Sequence, residues 1–132
     1  MDYKKGRIKR YLTNFHIVFC PKYRRQLLVG LVRDELSIEL HRIAQEKGWQ
    51  ILGMEIMPDH VHIFISTDTG TAPETIVKLL KGRTSRTLRE RFWSLGRSPA
   101  LWAPSYFIST AGNVSSETIM KYIQEQWNRW GD

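Results

Sequence analysis

The chain carries a single cysteine, Cys20, among its 132 residues. That scarcity excludes an internal disulfide and any zinc site built from several thiolates, and it suits a reducing compartment. Long apolar runs are also missing. No stretch approaches the ~20 consecutive apolar residues needed to span a bilayer, and Met1 to Arg10 is too charged to form a signal-peptide core. Carboxylates are scarce beside cations, with 13 Asp and Glu against 20 Lys and Arg, for a formal net charge of +7. Such a surplus favours polyanionic partners, of which nucleic acid is the commonest. There is no phosphate-cradling glycine-rich loop of the Walker type, no internal repeat and no long linker. These absences predict a soluble, cytoplasmic protein with no membrane partner and no nucleotide cofactor. The length suits one domain over residues 1–132, with residues 1–10 as a basic N-terminal arm.

What is present reads as alternating strands and helices. From Thr13 to Cys20, Phe15, Ile17 and Phe19 fall on one side and Asn14, His16 and Val18 on the other, the period of a strand. Pro21 closes it, and Lys22, Arg24 and Arg25 follow in a basic loop. Between Leu31 and Lys47, Val32, Leu36, Leu40 and Ile43 recur at three- and four-residue steps, predicting an amphipathic helix stopped at Gly48. Ile51–Met57 and Val61–Ile65 are apolar runs joined by Pro58-Asp59, a hairpin signature. Thr71 to Phe92 predicts a second helix with a break at Gly82. Ser94 to Pro104 reads as loop, Tyr106 to Thr110 as a fourth strand, and Ser115 or Ser116 as the cap of a last helix reaching about Trp130. This order predicts an α+β fold: a ferredoxin-like, RRM-like βαββαβ antiparallel sheet with an added C-terminal helix.

The densest chemistry lies in Asp59-His60-Val61-His62. Alternation along a strand puts His60 and His62 on one face, roughly 6.5–7 Å apart at Cα. Two neutral imidazoles at that spacing can share a metal ion, although two ligands alone make a poor site and a pair of idle, hydrogen-bonded histidines fits the same pattern. On the last helix, Gln126 falls about 40° from Tyr122, one turn further on. An amide oxygen and a phenol thus become neighbours, a candidate third ligand and a candidate nucleophile. An ordinary amphipathic tyrosine at the edge of a buried stripe has the same placement.

Taken together, several stretches resemble the single-tyrosine HUH transposases of small insertion sequences. They are Phe15-His16-Ile17-Val18-Phe19 with Pro21-Lys22-Tyr23-Arg24-Arg25; Met57-Pro58-Asp59-His60-Val61-His62; Leu80-Lys81-Gly82-Arg83-Thr84-Ser85-Arg86; Leu101-Trp102-Ala103-Pro104-Ser105-Tyr106-Phe107; and Gly112-Asn113 followed by Tyr122 and Gln126. The resemblance implies a prokaryotic, nucleoid-associated enzyme that cleaves and rejoins single-stranded DNA at hairpins on element ends, through a 5′-phosphotyrosine intermediate. It implies His60, His62 and Gln126 as ligands to Mg²⁺ or Mn²⁺ and Tyr122 as nucleophile. It further implies a homodimer with active sites assembled in trans and Gly112 as the hinge before the tyrosine helix. Lys22, Arg24, Arg25, Lys81, Arg83 and Arg86 are the candidate DNA-backbone contacts. Competing readings are a non-enzymatic single-stranded nucleic-acid binder, a metal-dependent phosphodiesterase using water, and a related HUH nuclease acting on repeated genomic hairpins.

Overall fold

The computed structural model describes residues 12–97, 99–110, 121 and 125. Four antiparallel strands form one sheet in the order β2-β3-β1-β4, where β1 is Leu12–Phe19, β2 Gln50–Met57, β3 His60–Asp68 and β4 Phe107–Thr110. Helix α1, Gly30–Lys47, links β1 to β2, and α2, Pro73–Arg91, links β3 to β4. This is the predicted βαββαβ arrangement. Of the expected C-terminal helix, only Lys121 and Glu125 are described, and both are helical and exposed. Its proposed cap at Ser115 or Ser116 lies outside the described residues.

Both helices cover the same face of the sheet. Phe15, Ile17 and Phe19 of β1 pair with Ile65, Ile63 and Val61 of β3. These six side chains are buried with Leu36, Leu40 and Ile43 of α1 and Ile76, Val77, Leu80 and Leu88 of α2. The predicted helix stripe is therefore the core stripe, and Val32 lies at its partly buried edge. Gly48 ends α1 with φ 73°, and its N–H reaches the carbonyls of Ala44 and Gln45, a left-handed cap that favours glycine. Buried Glu39 ties the two helices together, accepting from Arg42 and, at 3.1 Å, from Arg83, which also binds Glu46 at 2.9 Å.

Two expectations are corrected. Gly82 does not interrupt α2, because buried Leu80, Thr84 and Leu88 hold the helix against the core on either side of it. A glycine costs a helix interior only ~1 kcal/mol, less than such packing returns. The span expected to be loop begins with a short helix, α3, Trp93–Gly96, anchored by buried Leu95. Further along that span Leu101, Trp102 and Ala103 are buried, and the Trp102 indole N–H donates to Thr84 Oγ1 at 3.0 Å.

Candidate functional site

The face of the sheet away from α1 and α2 carries the histidines. His60 and His62 alternate with core-facing Val61 and Ile63, as the strand period requires. Opposite them across the hairpin stand Met57 and Glu55. On the other side, Val18 pairs with His62 and His16 with Phe64. His16 was given no role from sequence, yet it joins the pair: its Nδ1 lies 3.1 Å from His62 Nε2, and its ring stacks on Phe64 at 4.7 Å with 9° between planes. Alternation alone had placed His16 on the polar side of β1. Its contact with His62 depends on the β1–β3 register, which no local pattern reveals.

Each histidine is oriented by a neighbour. Asp59 Oδ1 lies 2.9 Å from His60 Nδ1, and Asp59 Oδ2 accepts from Arg24 Nη2 at 3.0 Å. Burial opposes charge on Asp59, but hydrogen bonds from His60 and Arg24 outweigh it and hold the carboxyl below its usual range. With the Nδ1 proton of His60 directed to a carboxylate, the ring's lone pair is on Nε2. An imidazole backed by a carboxylate in this way is a common arrangement for a metal ligand.

His62 is nearly enclosed, with 5% of its surface exposed. Burial pushes its pKa down, as does the neighbouring His16, and Glu55 offsets part of this. Burial also lowers His16. Both rings are therefore neutral at pH 7, the form that binds metals. If His62 Nε2–H donates to His16 Nδ1, the lone pair falls on His62 Nδ1, which lies 3.9 Å from Glu55 Oε1. That tautomer permits ligation without breaking the His16 contact. A hollow of about 130 Å³, lined by Gly53, Met54, Glu55, His62 and Phe64, opens beside the ring. Among the described residues no group of three or more His, Cys, Asp or Glu is placed to hold a metal ion. The donor set thus fits a transition or alkaline-earth ion only if another residue completes it.

The basic loop after β1 is fastened at this end of the sheet. Lys22 N–H donates to Leu101 O at 2.9 Å, Ala103 N–H to Cys20 O at 2.8 Å, and Leu28 N–H to Pro58 O at 3.0 Å. Tyr23 and Arg24 take the left-handed conformation, φ 63° and 52°, which costs a non-glycine residue of order 1–3 kcal/mol and persists only under such constraint. The strained turn delivers Arg24 to Asp59. Arg25 donates from Nε to the Lys22 carbonyl, and the Lys22 ammonium lies 5.3 Å from the Tyr23 ring centroid.

The remaining predicted residues are dispersed. Lys81, Arg83 and Arg86 belong to α2, on the opposite side of the sheet from the histidines. Lys81 donates to the Ala103 carbonyl at 2.6 Å, and Arg83 is engaged by Glu39 and Glu46. Arg86 is exposed, with Glu90 at 3.9 Å. Tyr122, Gln126 and Gly112 lie outside the described residues. Among the described residues, no helix is long and apolar enough to cross a membrane.

Known proteins resemble this chain in sequence and in fold. A family model of IS200-like transposases matches residues 9–126. The ISDra2 transposase TnpA of Deinococcus radiodurans is 38% identical over 136 residues, covering 98% of this chain and 94% of its own. The transposase for insertion sequence element IS200 of Salmonella typhimurium is 32% identical over 89% of this chain and 78% of its own. A crystal structure of a Deinococcus radiodurans protein assigned as a transposase superposes with a TM-score of 0.80 at 34% identity, covering 93% of this chain and 97% of that one. A REP-associated tyrosine transposase bound to a REP hairpin shares the fold at a TM-score of 0.55 and 14% identity, over 93% of this chain and 68% of that one. The chain belongs to the family of IS200-like transposases.

Proposed function

We propose that this transposase cleaves and rejoins single-stranded DNA by transesterification, with Tyr122 as nucleophile and His60, His62 and Gln126 as ligands to Mg²⁺ or Mn²⁺. The observation that carries the reading is the oriented histidine pair: two imidazoles on one face of β3, one backed by Asp59 and Arg24, the other kept neutral by burial. Family membership supplies the reaction class, the movement of DNA strands.

The Tyr122 oxygen attacks a DNA phosphorus in line. A tyrosine O–P bond forms, the P–O3′ bond breaks, and the phenolic proton ends on the departing 3′-oxygen. The product is a 5′-phosphotyrosine and a free 3′-hydroxyl. A 3′-hydroxyl from another end then attacks that phosphorus, and the proton returns to tyrosine. One phosphodiester replaces another of similar energy, so no nucleotide is consumed. When bound, the divalent ion supplies charge stabilisation at the non-bridging phosphate oxygens. His62 presents a neutral ring to it, Asp59 orients the His60 ring, and Arg24 keeps Asp59 charged and in place.

The substrate reading is DNA folded into hairpins at element ends. The same fold accommodates a REP hairpin in the fold neighbour. Lys22, Arg24 and Arg25 give the histidine end of the sheet a cationic approach, whereas Arg86 lies on α2, across the sheet from it. The active form is a homodimer in which the tyrosine helix of one subunit serves the histidines of the other, with Gly112 as hinge. The test is incubation of labelled single-stranded DNA with the protein and Mn²⁺, followed by denaturing electrophoresis. An adduct that disappears in Tyr122→Phe and on chelation is expected. Cleavage without an adduct, or an adduct retained by Tyr122→Phe, would overturn the mechanism.

A further inference from the structure

We propose that a cleft on the outer side of α2 and α3 holds an unpaired nucleotide of the DNA strand, its base stacked on Trp93 and its phosphate against Arg86 and Arg89. The class of ligand rests on the transposase reading, but the site is separate, lying across the sheet from the histidine pair.

Trp93 is 76% exposed, more than any other large apolar side chain among the described residues. The reason is local. Leu95 is buried in the core and Phe92 packs against it, so these residues anchor the four-residue helix and leave Trp93 turned outward. Gly96 closes the joint with α2. A Cβ there would come within 2.9 Å of the Arg89 carbonyl oxygen, so only glycine lets α3 lie this close.

An open cleft of about 490 Å³ is lined by Gly82, Ser85, Arg86, Arg89, Glu90 and Gly96, the last of which ends the short helix that Trp93 begins. Its size falls in the range of small-ligand sites, ~300–1,000 Å³. Gly82, Ser85, Arg86 and Arg89 recur at three- and four-residue steps and so share one stripe of α2. Space above Gly82 is open, with nothing within 4 Å of where a Cβ would stand. The Arg97 guanidinium lies 5.0 Å from the Trp93 ring centroid. Arg86 and Arg89 line the cleft together with the carboxylate of Glu90, and Arg97 stands against the indole.

A nucleotide matches both halves of this surface. Its base offers a π-face to the indole, and its phosphate suits the arginines. An apolar protein partner would need further apolar area, which Ser85, Arg86 and Glu90 do not provide.

The experiment is fluorescence anisotropy of a labelled oligo-dT strand with the full chain carrying Tyr122→Phe, which removes covalent chemistry. The parent, Trp93→Ala and Trp93→Phe are compared on that strand and on an abasic strand of equal length. Trp93→Ala should weaken oligo-dT binding about tenfold, and Trp93→Phe should keep most of the affinity. The abasic strand should bind all three alike, and melting temperatures should be equal. Equal oligo-dT affinity for the parent and Trp93→Ala, or an equal loss on the abasic strand, would overturn the cleft proposal alone. Failure of the parent to bind either strand would overturn the proposed single-stranded DNA substrate along with it.

Discussion

The two faces of β3 have opposite characters, one apolar and closed, the other rich in imidazole. Val61, Ile63 and Ile65 are fully buried and pack against both helices. Between them, His60, His62 and Phe64 look the other way, toward Asp59, Glu55 and His16. One run of nine residues therefore serves stability through its odd positions and chemistry through its even ones. A period of two makes this possible, because the apolar anchors fix the backbone from which the imidazoles project. The histidine positions are held to within the tolerance of a packed core, a better platform than a loop.

That division can be broken from either side. The largest effect should come from His60→Ala, which removes one proposed ligand from the outward face of β3. Adduct formation should fall by about a thousandfold, the scale of several kcal/mol of metal-derived stabilisation, while the denaturation midpoint stays near that of the parent. Ile63→Ala should do the reverse. It should destabilise by about 2–5 kcal/mol in denaturant titration, with the rate of adduct formation per folded molecule retained. Asp59→Asn is subtler, because it leaves both proposed ligands and removes the carboxylate that orients His60 and pairs with Arg24. Mn²⁺ affinity measured by calorimetry should weaken about 10–100-fold, and Arg24→Gln should follow with a smaller loss.

The smallest effect is in pH. His16 and His62 have folded pKa values depressed below the ordinary value near 6.5. The unfolded chain then binds more protons than the folded one as pH falls below about 6.5, so folding stability declines in that direction. It is fully present above that value and lost progressively toward the lower folded pKa values. Melting temperature measured from pH 7.5 to 5 should show this slope, and His16→Gln should flatten it.

The elements that sequence made legible are those ruled by local pattern. The Leu36, Leu40 and Ile43 stripe, the Gly48 stop, the Pro58-Asp59 turn and the alternation of β1 and β3 each act within a few residues. The features that escaped depend on parts distant in the chain. Gly82 stays helical because Leu80 and Leu88 are held by the core. The segment around Trp102 looks irregular, yet Pro21 pairs with Trp102 and Thr84 accepts its indole proton. His16 meets His62 only through strand pairing between residues 46 apart. Arg83, selected for its charge, is engaged by Glu39 and Glu46, a partnership invisible without the α1–α2 contact.

The outward face of β3 is expected to hold one divalent ion. Calorimetric titration of the full chain with Mn²⁺ measures this without reference to DNA or turnover. One ion per subunit is expected for the parent, and binding should be lost in His62→Ala samples whose circular dichroism remains that of the parent. Unchanged Mn²⁺ binding by folded His62→Ala, or no binding by the parent, would contradict it.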